Sequence, residues 1–127
     1  MFVKCDYKSD GLFHRMAEVV IPQADVRNDE DFVIDTGSPR SFLSRKRAGC
    51  LGVNLDELPN GQKYMGRITK KLLNVKIKLK YNGSEKSLET ELLILPHDIL
   101  RDNILGLDLI FRFGKLHVSA QQAWLDL

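Results

Sequence analysis

The residues best suited to chemistry are Asp35, Thr36, Gly37 and Ser38, preceded by Phe32, Val33 and Ile34. A short apolar run stopped by an acid and a glycine reads as a buried strand delivering a carboxylate into a tight turn. A carboxylate so placed is a candidate for general acid–base work. Thr36 and Ser38 flank the turn with hydroxyls that can donate hydrogen bonds, and Gly37 lets the backbone approach another group closely. Taken alone, Asp35 reads better as an acidic turn residue after a strand.

The surrounding pattern is mostly that of strands. Leu12 to Ile21 alternates apolar positions (Ala17, Val19, Ile21) and ends at Pro22, as a strand closed by proline. Gln23 to Asp31 is polar and acidic and reads as a turn. Phe32 to Ile34 then feeds the Asp35 turn, and Ser41 to Leu43 continues beyond it. Ser44 to Gly49 fits one helical turn, with Ser44 as cap and Gly49 as stop. Leu51 to Gly61, punctuated by Gly52, Pro59 and Asn60, reads as loop.

Leu72 to Leu95 carries the clearest signal. Val75, Ile77, Leu79 and Tyr81 alternate with lysines, and Asn82-Gly83 follows as a hairpin turn. With that turn as the loop, Lys80 faces Glu85, Lys76 faces Glu89 and Ile77 faces Leu88, so opposite charges and apolar partners meet. The lysine run is then one solvated face of a hairpin, which argues against a nucleic-acid partner. Leu92 to Leu95 continues as a buried strand to Pro96, and His97 to Asn103 is a polar connector. Leu107 to Phe113 fits a short helix stopped at Gly114. Lys115 to Val118 and Ala123 to Leu127 read as closing strands.

The chain has 127 residues, 43% hydrophobic and 28% charged, enough for one domain, 1–127, with one core. Its net charge of +2 implies no polyanionic partner. No apolar run approaches the roughly 20 residues that span a bilayer. The start lacks a signal-peptide pattern, so a cytoplasmic location is expected. Cys5 and Cys50 give no disulfide framework, and His14, His97 and His117 are scattered, so no metal and no cofactor is expected.

A second apolar-apolar-glycine element, Ile104-Leu105-Gly106, lies near the C-terminal end. Together, Val33-Ile34-Asp35-Thr36-Gly37-Ser38 and Asn103-Ile104-Leu105-Gly106-Leu107-Asp108 resemble the retropepsin-like aspartic proteases, over about Leu12 to Leu127. Gly106-Leu107-Asp108 is closer to the cellular and prokaryotic members than to the viral ones. The resemblance implies an all-β, single-lobe acid-protease fold, a closed β-barrel with one or two short helices. It also implies an aspartic endopeptidase acting on a peptide or protein substrate. One Asp-Thr-Gly per chain implies a homodimer, with Asp35 of each copy meeting at a two-fold axis. By the same resemblance, Thr36 holds the dyad across the interface and Gly37 binds substrate backbone. Ser38 would bond the outer carboxylate oxygen, favouring an acidic optimum.

A flap is expected over Asn60 to Leu72, with Gly61 and Gly66 permitting its tip and Tyr64-Met65 facing substrate; ordinary core packing is the competing reading of those two. Viral enzymes pair an acid after the first motif with an arginine after the second glycine. Here Pro39 and Leu107 stand there, so both partners of that ion pair are missing together. The N-terminal segment to Asp10 has no clear counterpart and would add a strand or meet a partner beside Ala123 to Leu127. Two other classes remain at this level. One is a catalytically silent dimerisation or peptide-binding module that clamps an extended segment by strand addition. The other is an acidic-partner or nucleic-acid binder using Lys63, Arg67, Lys70 and Lys71.

Overall fold

A computed structural model describes residues 2–95 and 100–127. The chain forms strands β1 (Phe2–Tyr7), β2 (Phe13–Ile21) and β3 (Val26–Ile34), then helix α1 (Arg45–Cys50). Strands β4 (Asn60–Tyr64), β5 (Arg67–Tyr81), β6 (Ser84–Ile94) and β7 (Asn103–Leu105) follow. Helix α2 (Leu107–Phe113) and strands β8 (Lys115–Ser119) and β9 (Gln122–Asp126) complete it. Pro96 and the first residues of the expected connector, His97 to Ile99, lie outside the described residues; Asn103 opens β7.

The β5–β6 hairpin has the register expected from charge and apolar matching. Lys80 pairs with Glu85, Lys76 with Glu89 and Ile77 with Leu88. Asn82 and Gly83 both take positive φ (49° and 78°), the requirement of a two-residue hairpin turn. Val75, Ile77 and Leu79 are fully buried. A bulge between Leu72 and Val75, with Asn74 at φ 57°, interrupts the ladder. Beyond it the two halves of β5 have different neighbours: residues 76–78 pair with β2, while residues 67–70 pair with β4.

β2 pairs with β3 along one edge and divides its other edge between β1 at His14 and β5 at residues 18–20. The sheet therefore branches instead of closing into the expected barrel. Its main path runs β4-β5-β2-β1-β9-β8, leaving β4 and β8 at opposite ends. β1 pairs antiparallel with β9, Val3 opposite Leu125, so the N-terminal segment does add a strand beside the C-terminal one.

One expectation fails clearly. Most of Gln23 to Asp31 is strand rather than turn, because β3 begins at Val26 and pairs with β2 from Ile21↔Val26 to His14↔Val33. The turn shrinks to Pro22–Ala24 and Asp25. Arg27, Asn28 and Asp29 point to solvent, whereas Glu30 is buried and neutralised by Arg47 from α1. Both helices lie where expected, Ser44 capping α1 through Arg47 N and Gly114 ending α2. Gly49 lies inside α1 instead of stopping it. The core gathers Val19, Phe32, Leu43, Ile77, Leu105 and Phe113 between the sheet and the two helices. Among the described residues, no helix is long and apolar enough to cross a membrane.

Candidate active site

The turn that carries Asp35 is built by three segments. β7 runs parallel to β3, pairing Val33 with Ile104 and Ile34 with Leu105. Asp35 N then donates to Leu105 O at 3.0 Å. The chain crosses the end of β7 and returns along its other edge, where Phe42 and Ile104 exchange hydrogen bonds of 2.9 Å. Leu43 N donates to Leu93 O and Leu93 N to Ser41 O, stitching the returning arm to β6. β7 thus sits between the incoming and outgoing arms of one loop. Gly106 lies beneath the crossing. A Cβ there would stand 2.6 Å from Ser38 O and closer still to Arg40 O, so no side chain fits. This is the physical content of Ile104-Leu105-Gly106: two residues pair with the loop's arms and the third makes room for its crossing.

Inside the turn, Gly37 N donates to Asp35 Oδ1 at 2.9 Å and Ser38 N to Asp35 O at 3.2 Å. Asp35 is half-buried, while Thr36 and Gly37 are exposed. Ser38 departs from expectation. It is buried, and its hydroxyl donates to Arg40 O at 2.7 Å rather than to the Asp35 carboxylate. Its side chain closes the crossing, so Ser38 gives the Asp35 carboxylate no hydroxyl hydrogen bond that would favour an acidic optimum.

Sequence alone left Arg40, Ser41 and Asp108 without roles, and the structure joins them. Ser41 Oγ donates to Asp108 Oδ1 at 2.6 Å and accepts from Gly106 N at 2.9 Å. Arg40 Nε faces Asp108 Oδ2 at 3.4 Å, Nη1 donates to Gln62 Oε1 at 3.1 Å and Nη2 to Glu91 Oε1 at 2.7 Å. The Gly106-Leu107-Asp108 run was the available signal, since an acid in the first turn of α2 is favoured by the helix dipole.

Behind the site, Glu30 accepts both Nε and Nη2 of Arg47, at 2.7 and 2.8 Å. Asn28 and Asn103 add amide hydrogen bonds to the same carboxylate. Burial pushes the Glu30 carboxyl upward, but the Arg47 guanidinium and the two amides outweigh it and hold it below the usual value. Asn103 also receives Ser44 N on its Oδ1 at 2.8 Å, binding the start of β7 to α1. His14 is buried between Asp10 and Asp31, at 2.8 and 3.0 Å, and ties the β1–β2 turn to β3.

Asp35 borders a cleft of about 340 Å³ walled by Leu12, Ile34, Leu100 and Ile104, with Arg101 and Asp102 also lining it. A second groove, of about 550 Å³, begins at Thr36 and runs along Leu107, Phe111, Leu116 and Val118. Phe111 and Val118 are 72% and 60% exposed.

The expected flap segment is a hairpin of β4 and the start of β5. Its tip is Met65-Gly66, both at positive φ (53° and 75°). Gly61 is not at the tip: it lies on β4, where a Cβ would run into Thr69 Oγ1. Tyr64 turns inward onto Phe42, ring centroids 4.6 Å apart, whereas Met65 is exposed.

No protein-family model and no curated protein matches the chain. Solved structures do. A retropepsin-like aspartic protease from Rickettsia conorii superposes with a TM-score of 0.73 at 23% identity, over 98% of this chain and 90% of that one. EIAV protease, complexed with the inhibitor HBY-793, superposes with a TM-score of 0.52 at 18% identity, over 89% and 98%. The chain has the retropepsin-like fold. The higher score falls on the bacterial structure, in line with the cellular and prokaryotic leaning of Gly106-Leu107-Asp108. Within this retropepsin-like frame, Pro39 and Leu107 leave the viral ion-pair positions empty of charge. Arg40 and Asp108 instead join the same two segments, one residue further along each and with the signs exchanged.

Proposed function

We propose that this chain is an aspartic endopeptidase active as a homodimer. The observation that carries the reading is the placement of Asp35: half-buried, held by Leu105 O and Gly37 N, at the rim of a cleft with apolar and charged walls. Fold alone would not carry it, since one fold hosts many activities.

One chain supplies one such carboxylate, and a two-fold contact supplies the second. Thr36 would lie at that contact, and the exposed apolar groove beginning at Thr36 suits an isologous partner. Two carboxylates about 3 Å apart cannot both ionise, so the pair shares one proton. The ionised Asp35 takes a proton from a bridging water, whose oxygen attacks the scissile carbonyl carbon. The neutral Asp35 donates its proton to the carbonyl oxygen. Collapse of the tetrahedral adduct breaks the C–N bond as a proton passes to the leaving nitrogen. Gly37, exposed and without a side chain, offers backbone to an extended substrate. The hairpin with Tyr64, Met65 and Gly66 would cover it and exclude water. Gly61 serves this cover indirectly, by letting β4 pack on Thr69.

Asp35→Asn preserves shape and removes the ionisable group. The test is a peptide-library cleavage assay from acid to neutral pH on both proteins, with sedimentation to establish the dimer. Cleavage by the unmodified dimer and none by the variant is the expected result. Activity that survives the substitution would rule out the dyad; a well-formed dimer with no cleavage in either protein would favour a silent peptide-binding module.

A further inference from the structure

Arg40 lies five residues after Asp35, on the same loop, and its guanidinium faces three different elements. Nε faces Asp108 at the start of α2, Nη2 donates to Glu91 on β6, and Nη1 donates to Gln62 on β4. The first two contacts fix where the guanidinium stands. Asp108 is in turn held by Ser41 Oγ and by Leu109 N. The third contact reaches the covering hairpin, three residues before its tip at Met65. Two residues further along the loop, Phe42 stacks against Tyr64 of the same hairpin. The loop that presents Asp35 therefore touches the hairpin at two points, one polar and one aromatic.

We propose that Arg40 is a positioning residue that tethers the 60–70 hairpin to the Asp35 loop and sets how the hairpin lies over the site. This rests on the reading of Asp35 as catalytic. The planar fork of arginine matters here. Three partners in three directions need several N–H groups in fixed geometry, which a lysine ammonium cannot supply from one point. Gln62 is uncharged and exposed, so its arm can open while the Asp108 and Glu91 ion pairs hold the loop in place. Breaking it should loosen the hairpin and leave the loop crossing intact, because the crossing has its own backbone bonds from Leu107 N to Ser38 O and from Asp108 N to Pro39 O.

Hydrogen exchange on the full chain tests the tether without requiring activity. Arg40→Lys, and separately Gln62→Leu, should speed exchange over residues 60–70 by about fivefold, with little change in the β2–β3 ladder. Gln62→Leu leaves the two ion pairs untouched and covers the case in which Arg40→Lys folds poorly. With a cleaved peptide, Arg40→Lys should raise KM by about fivefold and lower kcat by less than about twofold, since cover of bound substrate is lost and the dyad is not. Adding Gln62→Glu to Arg40→Lys should restore protection through a new lysine–carboxylate pair. Exchange over 60–70 that is unchanged in both single variants would overturn the tether. So would acceleration spread evenly over the sheet, or a second substitution that restores nothing. If the unmodified protein cleaves no peptide, the Asp35 reading fails while the exchange comparison still decides the tether.

Discussion

The Glu30–Arg47 pair behind the Asp35 loop makes a prediction with a sign that geometry sets. The two side chains are bonded bidentately, yet their exposures differ sharply: 1% for Glu30 and 40% for Arg47. Removing the arginine strands a carboxylate with almost no access to water. Removing the carboxylate charge leaves a guanidinium that water can reach. Arg47→Met should therefore cost about 3–5 kcal/mol, the usual result of orphaning a buried charge. Glu30→Gln, whose amide oxygen still accepts hydrogen bonds, should cost about 1–2 kcal/mol. At this chain length each kcal/mol lowers Tm by about 4 °C, so thermal melts at about pH 7 should separate the two variants clearly. The folded Glu30 carboxyl lies below its ordinary value of 4.5, so its contribution is complete above that pH and fades as the pH falls through the folded value. The Tm gap between the unmodified protein and Glu30→Gln should accordingly shrink as the pH falls below 4.5. A Glu30→Gln cost equal to or above that of Arg47→Met, or a gap that stays constant with pH, would refute the reasoning.

Two further predictions concern single positions. Gly106→Ala puts a methyl group against two backbone carbonyls that cannot yield; it should destabilise the fold by about 3 kcal/mol or more in a urea melt and abolish any Asp35-dependent cleavage. The two thiols should differ in reactivity. Burial, partly offset by Arg15 and reinforced by Asp6, pushes Cys5 up to about 11, while Cys50 is exposed. A single fast alkylation at about pH 8, mapped by mass spectrometry to Cys50, is expected, and equal labelling of Cys5 in the folded protein would contradict it.

Much of the fold was legible because its signals are local. Asn82-Gly83 and the lysine–glutamate matching fixed one hairpin to the residue, since a two-residue turn leaves no freedom of register. Phe32-Val33-Ile34 marked the strand entering the site, and Gly114 marked the end of α2. The acidic stretch before Phe32 was misread as a turn because composition reports solvent exposure, and an exposed strand edge is as polar as a loop. Only the pairing with β2, and Arg47 arriving from another element, make those residues a strand. Of the two glycines expected at the hairpin tip, Gly66 stands there and Gly61 does not, for a related reason: a glycine can mark close packing as well as a turn, and the thing packed against Gly61, Thr69, comes from the facing strand.

Sequence by itself determined that a carboxylate stands in a tight turn after a buried strand, that this sequence holds one such motif, and, through a family resemblance, that a second apolar-apolar-glycine element goes with it. Those facts depend on residue type and order. Tertiary structure alone decided what Ser38, Arg40, Ser41 and Asp108 do. Ser38 closes the loop crossing instead of reaching Asp35, and Arg40 joins α2, β6 and β4 through one guanidinium. The partners of the Arg40 guanidinium and the Ser41 hydroxyl lie 22 to 68 positions away along the chain, and only the folded chain brings them within hydrogen-bond reach.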